Sequence, residues 1–201
     1  MRSHLVIGDT QMKPGAPTEH LHALVNFIKV HKPDVIVHIG DHWDMPSLSS
    51  YDDGTKSMEG RRIQNDIESG NEAIAIIDDG IRRIAGYDPE KIFHLGNHEA
   101  RIGRFIENNP KFEGWVGYED LDLDEWNVKD FEEINEIDGI RYAHYFTNPF
   151  SGRAYGGSVI NKLNKLKFTG RRMIPFADAP ALVAPTRTEL KRCAYPSRPK
   201  P

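Results

Sequence analysis

The chain has 201 residues, 38% of them hydrophobic and 28% charged, and a formal net charge of −4. That is the balance of a soluble globular protein with room for one cored domain. No apolar run approaches the ~18 residues that a membrane span needs, and the single cysteine, Cys193, excludes an internal disulfide.

The charge is unevenly spread. Residues 171–201 hold seven Lys/Arg against two acids, a local +5, so residues 1–170 carry −9. An acidic body argues against a protein that lives mainly on phosphate contacts. It suits an enzyme that recruits substrate through bound cations, whose charge dominates the local field. Met1-Arg2-Ser3-His4 leads directly into a strand, so no leader is expected. The lone cysteine fits a reducing compartment, and a cytoplasmic location follows as the expectation.

Residues 3–8 read as a first strand, followed by a Pro- and Gly-containing loop. Thr18 is placed as an N-cap, and Leu21, Leu24, Val25 and Ile28 recur at helical spacing over 19–31. Lys32-Pro33 ends that helix, and 34–40 form the second strand. After a polar loop at 46–54, a helix is expected from about 58 to 85. Its buried stripe is Ile63, Ile67, Ile74, Ile77, Ile81 and Ile84, and Gly86 closes it. A third strand ends at Leu95, and 100–107 continue as helix. Residues 119–138, with ten acids and one lysine, read as a solvated face and loop. Phe131–Ile137 and Ile140–Phe146 flank Asp138-Gly139 as a hairpin that carries His144 on its second strand. A short helix at 158–167 leads to a strand at 166–168. Residues 170–201, with six of the 13 prolines, read as a largely irregular tail beyond a domain of residues 1–169. The β-α-β-α-β order is that of an α/β fold.

Three short segments carry the chemistry: Gly8-Asp9-Thr10-Gln11, Gly40-Asp41-His42-Trp43-Asp44 and Gly96-Asn97-His98-Glu99. Each follows an apolar run that reads as a buried strand, so their oxygen and nitrogen donors converge at the carboxyl edge of one sheet. The order Asp, then Gly-Asp-x-x-Asp, then Gly-Asn-His-Glu resembles the calcineurin-like metallophosphoesterase family over roughly residues 3–147. The resemblance implies an α/β sandwich of two mixed sheets flanked by helices. It also implies hydrolysis of a phosphate mono- or diester, a nucleotide or nucleic acid among the candidates. Two divalent cations about 3.5–4 Å apart would acidify a bridging water and clamp the phosphate. A mixed O/N site suits manganese, iron, zinc, cobalt or magnesium, with nickel also admitted, and the residues alone do not choose among them; manganese is the first expectation.

By the same resemblance Asp41 is the bridging carboxylate. Asp9, with Gln11, belongs to the first cation, and Asn97 and His144 to the second. His98 is the acid for the leaving oxygen, and Asp44 orients it. Glu99 braces the loop. His42 and Arg101 are candidate substrate contacts, with a structural role as the alternative for each. His38 and His94 read as core groups, and His20, His22 and His31 as solvent-facing.

Two departures stand out. The family begins Asp-x-His, whereas position 11 is glutamine. It also closes with Gly-His-x-His, whereas no histidine follows His144. Three readings stay open: a C-terminus replaced by a frameshift, missing ligands supplied by water or another subunit, or a site that holds metal poorly. Without its final strands the second sheet keeps an exposed edge, which favours association of copies. The setting expected from similar small enzymes is a bacterial or phage-infected cell. The alternative function is a non-catalytic binding protein on the same scaffold, using its basic tail. No Gly-x-Ser-x-Gly and no P-loop occurs in the chain, which sets aside those two enzyme classes.

Overall fold

The computed structural model describes residues 2–146 and the backbone of residues 181–183. The expected helix at 158–167, the strand at 166–168, Cys193 and the tail apart from residues 181–183 lie outside the described residues. Five parallel strands form the main sheet: β1 (His4–Ile7), β2 (Val35–His38), β3 (Glu90–His94), β4 (Asn127–Lys129) and β7 (Ala181–Val183), in the order β4-β3-β2-β1-β7. An antiparallel pair, β5 (Asn135–Ile137) and β6 (Ile140–Tyr142), makes the second sheet. The helices are α1 (Glu19–His31), α2 (Ile63–Arg82) and α3 (Ala100–Asn108).

Alternation along each strand decides what covers it. Leu5, Ile7, Ile36 and Phe93 face the core built by Leu21, Leu24 and Ile28 of α1 and Ile74, Ile77 and Ile81 of α2. Val6, Val37 and Ile92 stand in one row across β1, β2 and β3. With Val35 they pack against Ile137 and Tyr142 of the hairpin. Both faces of the sheet are therefore covered, which is why the three strands read as nearly unbroken apolar runs.

The expectations hold with local adjustments. Thr18 flanks α1, but its backbone carbonyl rather than its side chain meets the first-turn N–H groups of Leu21 and His22. The second helix starts at Ile63 rather than near 58, because a 3-10 turn at Lys56–Met58 and Gly60 at φ +80° precede it. Its last turn ends at Arg82, short of 85. Asp138 and Gly139 both take positive φ, +53° and +85°, as a tight hairpin turn requires. The paired strands are shorter than expected, so His144 lies just beyond β6 and not on it.

Two strands were not foreseen. β4 lies inside the acidic stretch read as face and loop, and it is held by pairing with β3 through Ile92, Phe93 and His94. β7 lies inside the tail and pairs with β1, with Leu182 opposite Leu5. Among the described residues no helix is long and apolar enough to cross a membrane.

Candidate metal centre

The three motif loops leave the carboxyl ends of β1, β2 and β3 side by side. Their closeness depends on glycine. A Cβ on Gly40, which sits at φ +94°, would lie 2.5 Å from the Gly96 nitrogen and 2.7 Å from the His94 carbonyl oxygen. A Cβ on Gly96 would run into the Asp41 carboxylate and backbone. The second and third loops thus touch backbone to backbone, and only glycine fits at either position.

Glu99 fastens them. Its side chain is fully buried. Oε1 accepts from the N–H groups of His42 (2.7 Å) and Trp43 (2.9 Å). Oε2 accepts from Asp41 (3.0 Å) and Gly96 (2.8 Å). Burial, with the nearby Asp41 charge, pushes the Glu99 carboxyl above its usual range, and the backbone donors oppose that rise. The bracing role read from sequence is therefore a four-donor clamp. It also holds Asp41 in the left-handed region at φ +53°, a conformation that costs energy unless its surroundings enforce it.

Asp9, Asp41 and His144 each offer a ligand atom, and these atoms lie within 4.8 Å of one another. Asp9 keeps an open face to solvent. Desolvation by surrounding protein, followed by the Asp41 charge, raises its carboxyl above the usual value. His144 Nδ1 donates to the Ile39 carbonyl at 2.6 Å. Its Nε2 faces Asn97 Oδ1 at 2.9 Å and Asp41 Oδ1 at 3.5 Å. Three acceptors facing one point are favourable only around a proton or a cation. An imidazole tied to a backbone carbonyl through its other nitrogen is the usual posture of a metal-ligating histidine. The donor set, two carboxylates, an imidazole and an amide oxygen, fits a hard-to-borderline divalent cation.

His98 stands at the edge of this cluster. Its backbone N–H donates to Asp41 Oδ1 at 3.0 Å, and Nε2 lies 3.8 Å from Asp41 Oδ2. Nδ1 lies 2.9 Å from both the Asp44 carboxylate and the Asp44 carbonyl. The bond to Asp44 raises the His98 pKa above its ordinary value. Burial works to raise the Asp44 carboxyl, but the bonds from His98 and Lys13 outweigh it and hold it at about 2. Lys13, whose Nζ sits 2.6 Å from Asp44 Oδ2, was not singled out in the sequence; a loop lysine two residues past Gln11 carries no signal for it.

The other candidates fall differently. His42 is fully buried and both ring nitrogens are engaged, with Thr10 Oγ1 at 2.6 Å and the Gly70 carbonyl at 3.0 Å. Burial lowers it to about 4, so it is a neutral structural group and not a substrate contact. Thr10 extends the chain to His38 Nε2 at 3.2 Å, and His38 stacks on Phe93. His38 and His94 are core groups as expected. Arg101 is half-buried. It donates to the carbonyls of Asp44 (2.8 Å) and Met45 (3.1 Å) and approaches His98 Nε2 at 3.3 Å. Gln11, at φ +48°, donates its backbone N–H to the Asp41 carbonyl at 3.0 Å. It thereby ties the first loop to the second.

The profile of the calcineurin-like phosphoesterase family matches residues 4–179. The chain is 36% identical to the gene 54 protein of Mycobacterium phage L5 over 97 residues, 48% of this chain and 36% of that protein. It matches the gene 54 protein of Mycobacterium phage D29 to the same extent. The matched stretch thus spans little more than a third of these curated relatives. No solved structure matches the chain.

Proposed function

The chain belongs to the calcineurin-like phosphoesterase family, and we propose that it hydrolyses a phosphate mono- or diester with two divalent cations, manganese foremost. Asp9, Asp41, Asn97 and His144 would hold them, with Gln11 at the first position. Bound there, the cations would neutralise the phosphoryl oxygens and lower the pKa of an attacking water.

The residues of the chain supply the remainder. Asp41 would serve both cation positions, its ligand atom lying within 4.8 Å of those of Asp9 and His144. His98 is positioned to hand a proton from Nε2 to the departing ester oxygen, because its Nδ1–H is committed to Asp44. Asp44 stays ionised, orients the imidazole and favours its charged form. Lys13 balances Asp44 from the solvent side. Arg101, in the first turn of α3, ties the Asp44 and Met45 carbonyls to the helix that follows His98. Relatives from phages support a phage-infected bacterial cell as the setting.

The convergence of Asp9, Asp41 and His144 within 4.8 Å, beside a His98–Asp44 pair, carries this reading. The test is hydrolysis of bis-p-nitrophenyl phosphate by the purified chain with Mn²⁺, beside Asp41→Asn. Turnover that requires both Mn²⁺ and Asp41 is expected. A folded protein with no turnover above the variant would favour the non-catalytic scaffold, with the absent Gly-His-x-His as the cause.

A further inference from the structure

Next to Asn97 opens a cleft of about 950 Å³ that includes Tyr51, Arg101, Arg104 and Asn108. A second cleft, of about 750 Å³, includes Arg61, Arg62, Phe112 and Trp115. Both are lined by Ser47, Ile63 and Phe105, so they join into one trough that runs from the metal loops across the first turn of α2. Two features of the trough lack a structural purpose. Trp115 and Tyr51 are 85% and 91% exposed, which large aromatic rings on a protein surface seldom are without a ligand to cover them.

The second feature is charge. Residues 1–170 carry −9, yet four arginines line the trough against three acids, Asp53, Glu68 and Asp120. Arg61 is neutralised by Asp52 at 2.6 Å. Arg62, Arg101 and Arg104 instead donate to backbone carbonyls, of Arg61, of Asp44 and Met45, and of Asn97. None of these three has a carboxylate partner among the described residues. Cations left unpaired in an acidic body, interleaved with exposed rings, match a chain that alternates phosphates with flat faces.

We propose that this trough seats a single-stranded polynucleotide, with bases stacked on Trp115 and Tyr51 and phosphates beside Arg62 and Arg104, feeding a phosphodiester to the metal loops. This rests on the phosphoesterase reading and names its substrate class. A duplex is disfavoured because its base faces are already stacked. A phosphopeptide would use the arginines but leave the rings idle.

The test is fluorescence anisotropy of fluorescein-labelled 12-nucleotide oligo-dT and oligo-U, in EDTA so that cleavage does not intrude. Competitors are a blunt duplex and a phosphoserine peptide. Both oligonucleotides should bind, and the stronger of the two identifies DNA or RNA as the source. Trp115→Ala should weaken binding at least about fivefold, the loss of one stacked base. The ring is so exposed that its removal leaves the core intact, which circular dichroism checks. Arg62→Ala/Arg104→Ala should flatten the slope of log affinity on log salt by about 1.4, the share of two phosphate contacts on a single strand. Absent binding, unchanged binding by Trp115→Ala, or equal competition by the duplex or the peptide would overturn the proposal. Hydrolysis of bis-p-nitrophenyl phosphate, run in parallel, reports on the metal site alone. Turnover of that small ester without oligonucleotide binding refutes the trough and leaves the hydrolase standing. Oligonucleotide binding without turnover does the reverse.

Discussion

Replacing Glu99 by glutamine changes one atom in the clamp between the two central loops, and its cost follows from the donor geometry. Each carboxylate oxygen accepts two backbone N–H groups, His42 and Trp43 on one side, Asp41 and Gly96 on the other. A glutamine keeps one oxygen and turns an NH₂ toward the other two donors. Two buried N–H groups are then stranded, at about 1–3 kcal/mol each. Relief of burying a carboxylate whose pKa is already raised offsets part of this, leaving about 3 kcal/mol of a total stability on the order of 5–15 kcal/mol. Urea unfolding in EDTA, followed by tryptophan fluorescence, should show the midpoint falling by roughly 1 M at an m-value of ~3 kcal/mol/M. Trp43, buried and next to the clamp, reports the loop directly. Calorimetric Mn²⁺ affinity should fall by about 10–100-fold, because Glu99 fixes the Asp41 backbone behind the ligands. A midpoint and a Mn²⁺ affinity both equal to wild type would refute the clamp.

Other outcomes follow from the same geometry. Lys91 reaches Asp78 at 2.9 Å in a largely buried site where Trp126 also donates to Asp78; Lys91→Met should cost about 3–5 kcal/mol by stranding the carboxylate, and adding Asp78→Leu should recover most of it in the same urea assay. Buried His42 and His94 are each lowered from 6.5 to about 4, so the unfolded chain binds more protons between those values. Stability should therefore be fully present above pH 6.5 and fall as pH drops toward 4, by up to about 3 kcal/mol per histidine; a flat urea midpoint over that range in EDTA would contradict it. His98→Ala should lower turnover about 10²–10⁴-fold on an alkyl phosphate ester, and less on the p-nitrophenyl ester, whose leaving group needs little help. Equal losses on both substrates would argue against a proton donor at this position.

Local signals wrote much of the fold into the sequence. Apolar runs ending in glycine marked β1, β2 and β3, the isoleucine stripe marked α2, and Asp138-Gly139 marked the hairpin, because each depends on spacing or turn chemistry within a few residues. The three motif loops were legible for the same reason, whereas the pairing of His98 with Asp44 across 54 residues was implied only by the family resemblance. What tertiary structure decided is non-local. β4 is a strand only because β3 offers it a ladder, in a stretch whose ten acids read as loop. β7 takes its place from β1, far from it in the chain. His144 joins Asp9 and Asp41 although the hairpin strand stops short of it, since the Ile39 carbonyl fixes its ring. His42 stands beside Asp41 in sequence yet points into the core, where Thr10 and Gly70 satisfy it. The turn at Gly40 and Asp41, both at positive φ, sends neighbouring side chains different ways, and only the assembled sheet determines which of them joins the cluster and which the core.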